Sequence, residues 1–168
     1  MLHQTLHASV LGSAVSISAA MLLWGGLALG FFAYALMRGK GKSISLLVGI
    51  LAAAGGSGAF MNIVRGSNGL SSGTKEAVLL GGFFIIIAAL TVVLGRVIHD
   101  DFSSRTVSKI LEAGILAVVS TGMFLAAGYR VAETSIFPFS FAGSFVTAPE
   151  ALLGWFVASL AALYFVTR

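Results

Sequence analysis

Five apolar runs alternate along the chain with shorter segments that collect most of its charge. They extend from about Ser13 to Met37, Ile44 to Val64, Ala77 to Leu94, Val107 to Gly128 and Ala148 to Val166. A hydrocarbon core about 30 Å thick is crossed by roughly 20 helical residues rising 1.5 Å each. Each run is close to that length. None alternates apolar and polar positions as the strands of a membrane barrel do, so the pattern predicts helices. The third run is the most uniformly apolar, with a single hydroxyl in GGFFIIIAALTVVLG. Pro138 and Pro149 lie in the fourth connection or at its edge, and no run is interrupted by proline. The expected fold is an all-α integral membrane protein, with residues 1–168 forming one transmembrane bundle of about five helices.

The polar positions between the runs set an expected orientation, because cytoplasmic loops are enriched in Lys and Arg. Arg38, Lys40 and Lys42 lie in the first connection, Arg65 and Lys75 in the second, Arg96, Arg105 and Lys109 in the third. Arg130 lies in the fourth, and Arg168 ends the chain. Placing the first and third connections inside predicts an outer N-terminus and an inner C-terminus. The longest connection, about Tyr129 to Thr147, carries Phe137, Phe139, Phe141 and Phe145 among small polar residues. Two readings fit that spacing: an interfacial anchor at headgroup level, or a docking surface for a neighbouring subunit.

Composition sharpens the membrane reading. The 168 residues are 58% hydrophobic and 10% charged, with a mean hydropathy of +1.01. A soluble domain carries about a quarter of its residues as charged groups, so this chain cannot solvate a full surface in water. The net charge of +4 is dispersed between the apolar runs, as topology signals are, and no nucleic-acid partner is expected. With no cysteine, disulfides, thiol catalysis and Cys-ligated metals are excluded within the chain. Residues 1–12 lack Lys and Arg, so the opening segment is not expected to act as a secretory leader. The expected location is the plasma membrane of a bacterium or archaeon.

Candidate chemistry is sparse. Polar groups within spans are costly and mark functional hypotheses. Apart from Glu150 at the edge of the fifth run, Glu112 is the only acidic residue placed within a run; it is either a proton or cation site or a carboxylate near a helix start, pairing with Lys109 or Arg105. Asn62 and Arg65, one turn apart, either face an aqueous vestibule or serve as an interhelical hydrogen-bonder and an interfacial anchor. Arg130 and Glu133 are spaced for a local ion pair if the fourth helix continues. His99, Asp100 and Asp101 form a weak metal signal, because adjacent residues on a loop do not converge as ligands do. His3 and His7 would share a helical face, yet they precede the first run. No run contains His, and no Lys lies mid-run, which removes intramembrane bis-histidine haem and retinal Schiff-base chemistry. No catalytic or metal site is expected, and the identity of any cofactor stays open.

Glycine is the distinctive residue, at 21 positions. Helix association in lipid depends on close packing, which small residues permit. Gly26 and Gly30 form a GxxxG, and Gly55, Gly56 and Gly58 cluster in the second run. Gly122 precedes Ala126 by four residues, as Gly154 does Ala158. Counting outward from Lys40 brings Gly25 and Gly26 to the depth of Gly55 and Gly56, so a mid-membrane crossing is expected there. The same count about Phe102 aligns Gly82 with Gly122. A broken second helix lining a transporter site is the competing reading, but no internal repeat supports it. The favoured function is a non-catalytic subunit of a larger energy-transducing, secretion or transport assembly, its partners the lipid bilayer and other membrane subunits. A small homo-oligomeric channel or transporter is the alternative, and a membrane enzyme the third reading.

Overall fold

A computed structural model describes residues 5–10, 13–67, 71–98, 106–132 and 148–167. These residues form five helices preceded by a two-stranded hairpin: β1 (Thr5–Val10), β2 (Ser13–Ser18), α1 (Ala19–Arg38), α2 (Lys40–Gly66), α3 (Ser72–Val97), α4 (Thr106–Ala132) and α5 (Pro149–Thr167). Four of them, α2 to α5, are long and apolar enough to cross a membrane; in α1 the corresponding apolar stretch is Leu22–Arg38.

Three of the helices, α2, α3 and α4, outrun the apolar segments that predict them. With no water to satisfy the backbone, an apolar run must bond internally, and the helix carries on through the flanking interfacial residues. Hence even the β-branched run of α3 is helical. Each of α1 to α4 ends with an arginine in its last turn, Arg38, Arg65, Arg96 and Arg130. A cation there complements the helix dipole and reaches the headgroups along its aliphatic stem. Ser71 caps α3 by accepting from the Thr74 amide at 3.4 Å. Pro149 opens α5, where its missing N–H costs nothing.

One expectation fails at the start of the chain. The first apolar run does not begin as helix: Ser13–Ser18 pairs antiparallel with Thr5–Val10, in a register from Thr5↔Ser18 to Val10↔Ser13. The period-two alternation of SAVSIS, with Val15 and Ile17 β-branched, favours strand; α1 starts where AAMLLW replaces it. The premise for pairing His3 with His7 fails with it. His7 lies in β1 opposite Ser16, and His3 lies outside the described residues.

In the bundle, α4 is the central helix. Of its most apolar stretch 61% is buried, against 17% for α3 and for α5. Its small residues Ala113, Ala117, Thr121, Gly122, Ala126 and Ala127 are buried, letting several neighbours approach. α1, α2 and α5 pack on it, and α3 reaches the bundle chiefly through α2. Along α5, Trp155 and Leu152 pack inward with Ser159, Ala162 and Val166. The spacing is that of one helical stripe.

The α2–α3 seam explains how two helices come so close. Gly41, Ser45, Gly49 and Ala53 recur every four residues along α2, and all are buried. A β-carbon placed on Gly49 would lie 3.0 Å from Thr91 Oγ1 and 3.1 Å from the Ile87 carbonyl oxygen. The hydroxyls along the helices are satisfied locally. Ser45 donates to Gly41 O at 2.8 Å, Thr91 to Ile87 O at 2.7 Å, Thr121 to Ala117 O at 2.8 Å and Ser159 to Trp155 O at 2.7 Å.

Outside these seams the surface is apolar. Leu29, Ile63, Ile85, Val97, Val107, Leu153 and Phe165 are each about 70% exposed. Water does not tolerate so large an apolar surface on a folded monomer, whereas hydrocarbon does. The architecture is that of an integral membrane protein.

Candidate functional site

Three features stand apart from ordinary packing, and each is built by particular helix contacts. The first is a buried ion pair. Lys40 opens α2 and Glu112 lies in the second turn of α4, on helices that start at the same end of the bundle. Their Nζ and Oε2 atoms are 3.6 Å apart, with side chains only 10% and 17% exposed. The other carboxylate oxygen, Oε1, accepts from Ser108 Oγ at 2.8 Å. Glu112 therefore pairs across the fold, rather than with Lys109 on its own helix; Arg105 lies outside the described residues. Oε2 itself is buried without a hydrogen bond, held by charge attraction alone. With a lysine so close, this carboxylate offers a second cation little net field.

Gly39 makes that pair possible. It is the single residue between α1 and α2, with φ 85° and ψ 170°, a region open essentially to glycine alone. The Ser43 hydroxyl donates to its carbonyl at 3.0 Å.

The second feature is the outward face of α2. Ala52, Gly55, Gly56, Ala59, Asn62 and Gly66 are exposed, opposite the stripe that meets α3. The expected crossing of Gly25 and Gly26 with Gly55 and Gly56 is not made within the chain: β-carbons at all four would meet nothing within 4 Å. The reason is that α1 leaves α2 to pack on α4. Leu125 of α4 packs against Leu23, Trp24 and Leu27, and Phe31 meets Phe124 with ring centroids 6.0 Å apart. Gly30, Gly58 and Gly154 likewise have open space around them.

Nor do Gly82 and Gly122 face one another. Each receives an aromatic ring from a third helix: Phe60 of α2 covers Gly82, and Trp155 of α5 covers Gly122. Trp155 also packs against Trp24, centroids 6.2 Å apart. Compared with known proteins, the chain matches no family model, no curated protein and no solved structure. Residue geometry alone therefore bears on its role.

The remaining candidates fall as follows. Asn62 is exposed near the far end of α2, and its amide has no hydrogen-bond partner among the described residues. Arg65, one turn on, contacts the Met61 sulfur at 3.7 Å, and its carbonyl accepts from Lys75 Nζ at 3.0 Å. The Lys75 contact ties the end of α2 to the start of α3. Arg130 is exposed in the last turn of α4. Phe137, Phe139, Phe141 and Phe145 lie outside the described residues, as do Glu133, His99, Asp100 and Asp101. Among the described residues, no three His, Asp or Glu side chains converge as metal ligands would.

The third feature is a cleft that sequence reasoning missed. α1 and α3 both lean on α4 without meeting, leaving a cavity of about 480 Å³ lined by α1, α3 and α4. Phe124 is its hub, with ring centroids 6.0 Å from Phe83 and 5.8 Å from Phe84. Nothing in the run pattern signals a gap between non-consecutive helices. The Gly41/Ser45/Gly49/Ala53 stripe, by contrast, was available as a four-residue repeat.

Proposed function

We propose that this chain is a non-catalytic subunit of a larger membrane assembly and that the outward face of α2 docks a transmembrane helix of a companion subunit. One observation carries the reading. The small residues Ala52, Gly55, Gly56 and Ala59 are exposed on one face of α2, and among the described residues a β-carbon at either glycine would meet nothing within 4 Å. In lipid, small residues gain their value by letting another backbone approach, and an amide at the edge of such a face favours an interhelical hydrogen bond. Asn62 continues this face one turn beyond Ala59.

The orientation that accompanies this reading has five spans, with α1 as the first. The ends of α1 and α3 and the starts of α2 and α4 gather Arg38, Lys40, Lys42, Arg96 and Lys109. The opposite end holds Arg65, Lys75 and Arg130. The positive-inside rule puts the richer end in the cytoplasm, the N-terminus outside and the C-terminus inside, in the plasma membrane of a bacterium or archaeon.

The test is purification from the native membrane in mild detergent, followed by identification of co-purifying chains. A companion at fixed stoichiometry supports the proposal. A chain that emerges alone, or only with copies of itself, refutes it.

A further inference from the structure

We infer that the end of the bundle where α1 turns into α2 binds anionic phospholipid headgroups in preference to zwitterionic ones, through Arg38, Lys42, Arg96 and Lys109. Four helix ends meet there. Gly39 alone separates α1 from α2, and the Lys40–Glu112 contact of 3.6 Å brings the second turn of α4 against the start of α2. A β-carbon at Gly95 would lie 3.9 Å from Ser45 Oγ, which puts the last turn of α3 beside the first turns of α2. The cations of these four ends therefore share one level of the bundle.

Two properties select the partner. The first is charge without a counter-charge. Among the described residues this end holds five cations and a single carboxylate, Glu112, which Lys40 engages. Arg38, Lys42 and Arg96 are exposed and Lys109 is half-buried. None of these four has an ion pair among the described residues. The opposite end sets Glu76 and Glu150 against Arg65, Lys75 and Arg130. Outside the described residues, Asp100 and Asp101 are matched in formal charge by Arg105 and Arg168.

The second property is depth. Met37 beside Arg38 is 82% exposed, Val97 beside Arg96 is 74% exposed, and Val107, two residues before Lys109, is 74% exposed. Apolar side chains so open belong in hydrocarbon. The adjoining cations lie at its edge, where long aliphatic stems carry the charge to the headgroups. An acidic loop of a soluble partner would approach from the aqueous side, whereas lipid phosphates stand at this level beside the exposed side chains. The geometry holds for whichever leaflet this end meets. It needs no companion subunit, so it fails separately from helix docking.

The experiment is native mass spectrometry of the full chain, purified in detergent, delipidated and incubated with equimolar phosphatidylglycerol and phosphatidylcholine. A Lys or Arg at an anionic lipid surface favours it by roughly fivefold, so the wild-type chain is expected to retain phosphatidylglycerol over phosphatidylcholine by about that factor at low salt. High salt should reduce the ratio, because exposed charges are screened. Arg38→Gln/Lys42→Gln/Arg96→Gln/Lys109→Gln should bring the ratio close to one, while Arg65→Gln/Lys75→Gln at the opposite end keeps it. Circular dichroism checks that both variants fold. Should the quadruple variant lose helix content, Arg38→Gln/Lys42→Gln and Arg96→Gln/Lys109→Gln take its place, each lowering the ratio. Equal retention of both lipids by the wild-type chain would overturn the assignment. So would an unchanged ratio in the folded variants, or an equal fall in the opposite-end control. A wild-type chain indifferent to headgroup, whose companion is shed by the quadruple variant, would give the cluster to an acidic protein segment instead.

Discussion

Gly39 and the Lys40–Glu112 pair show how much rests on single residues where α1 turns into α2. At φ 85° and ψ 170°, Gly39→Ala places a side chain in a glycine-only region and should cost about 1–3 kcal/mol. The measurement is a thermal or chemical unfolding midpoint in detergent, and an unchanged midpoint would contradict the strain. The ion pair behaves differently. Removing only its cation, as Lys40→Met, strands a largely buried carboxylate and should cost about 3–5 kcal/mol. The double variant Lys40→Met/Glu112→Leu should regain most of that stability, because no uncompensated charge is left behind. If the single and double variants were equally unstable, packing rather than charge would account for the loss. None of this was legible from the sequence. Glu112 stood out as a lone acidic residue, but its partner is 72 positions away, and local spacing pointed to Lys109 instead.

At the scale of helices, α2 has two faces of small residues with opposite fates. The buried stripe packs at Gly49 against the Ile87 backbone, which cannot rotate aside. Gly49→Ala should therefore push α2 from α3 and destabilise the fold by about 1–3 kcal/mol. Gly55→Ala faces open space and gains helix propensity, so the isolated chain should be unchanged or up to about 1 kcal/mol more stable. Unfolding midpoints of the two variants, compared in one detergent, check the contrast; equal effects would remove the distinction between the faces. Helix existence was readable from apolar runs because lipid forces backbone bonding within each segment. Depth arithmetic could align glycines by height but says nothing of azimuth. That is why Gly25 and Gly55 were matched and Gly49 was passed over. The β1–β2 hairpin was hidden inside an apolar run whose period-two alternation in SAVSIS carried the signal.

For the whole molecule, the arrangement follows from which helix buries its small residues against the most neighbours. α4 occupies the centre, α1 and α5 flank it, and α2 holds α3. Hydropathy foretold the bundle and its membrane setting, but the order of neighbours depends on contacts between helices distant in sequence, and so does the cleft beside Phe124. In the proposed function the outward small-residue face of α2 meets a partner, and that face can be probed without disturbing the interior. The decisive measurement is native gel electrophoresis of membranes solubilised in mild detergent, comparing the wild-type chain with Gly55→Leu/Ala59→Leu. The expected result is a wild-type chain migrating within a larger assembly. The double variant should be released from it with wild-type helix content and unfolding midpoint. A double variant that stays in the assembly, or a wild-type chain that migrates alone, would contradict the docking role of α2.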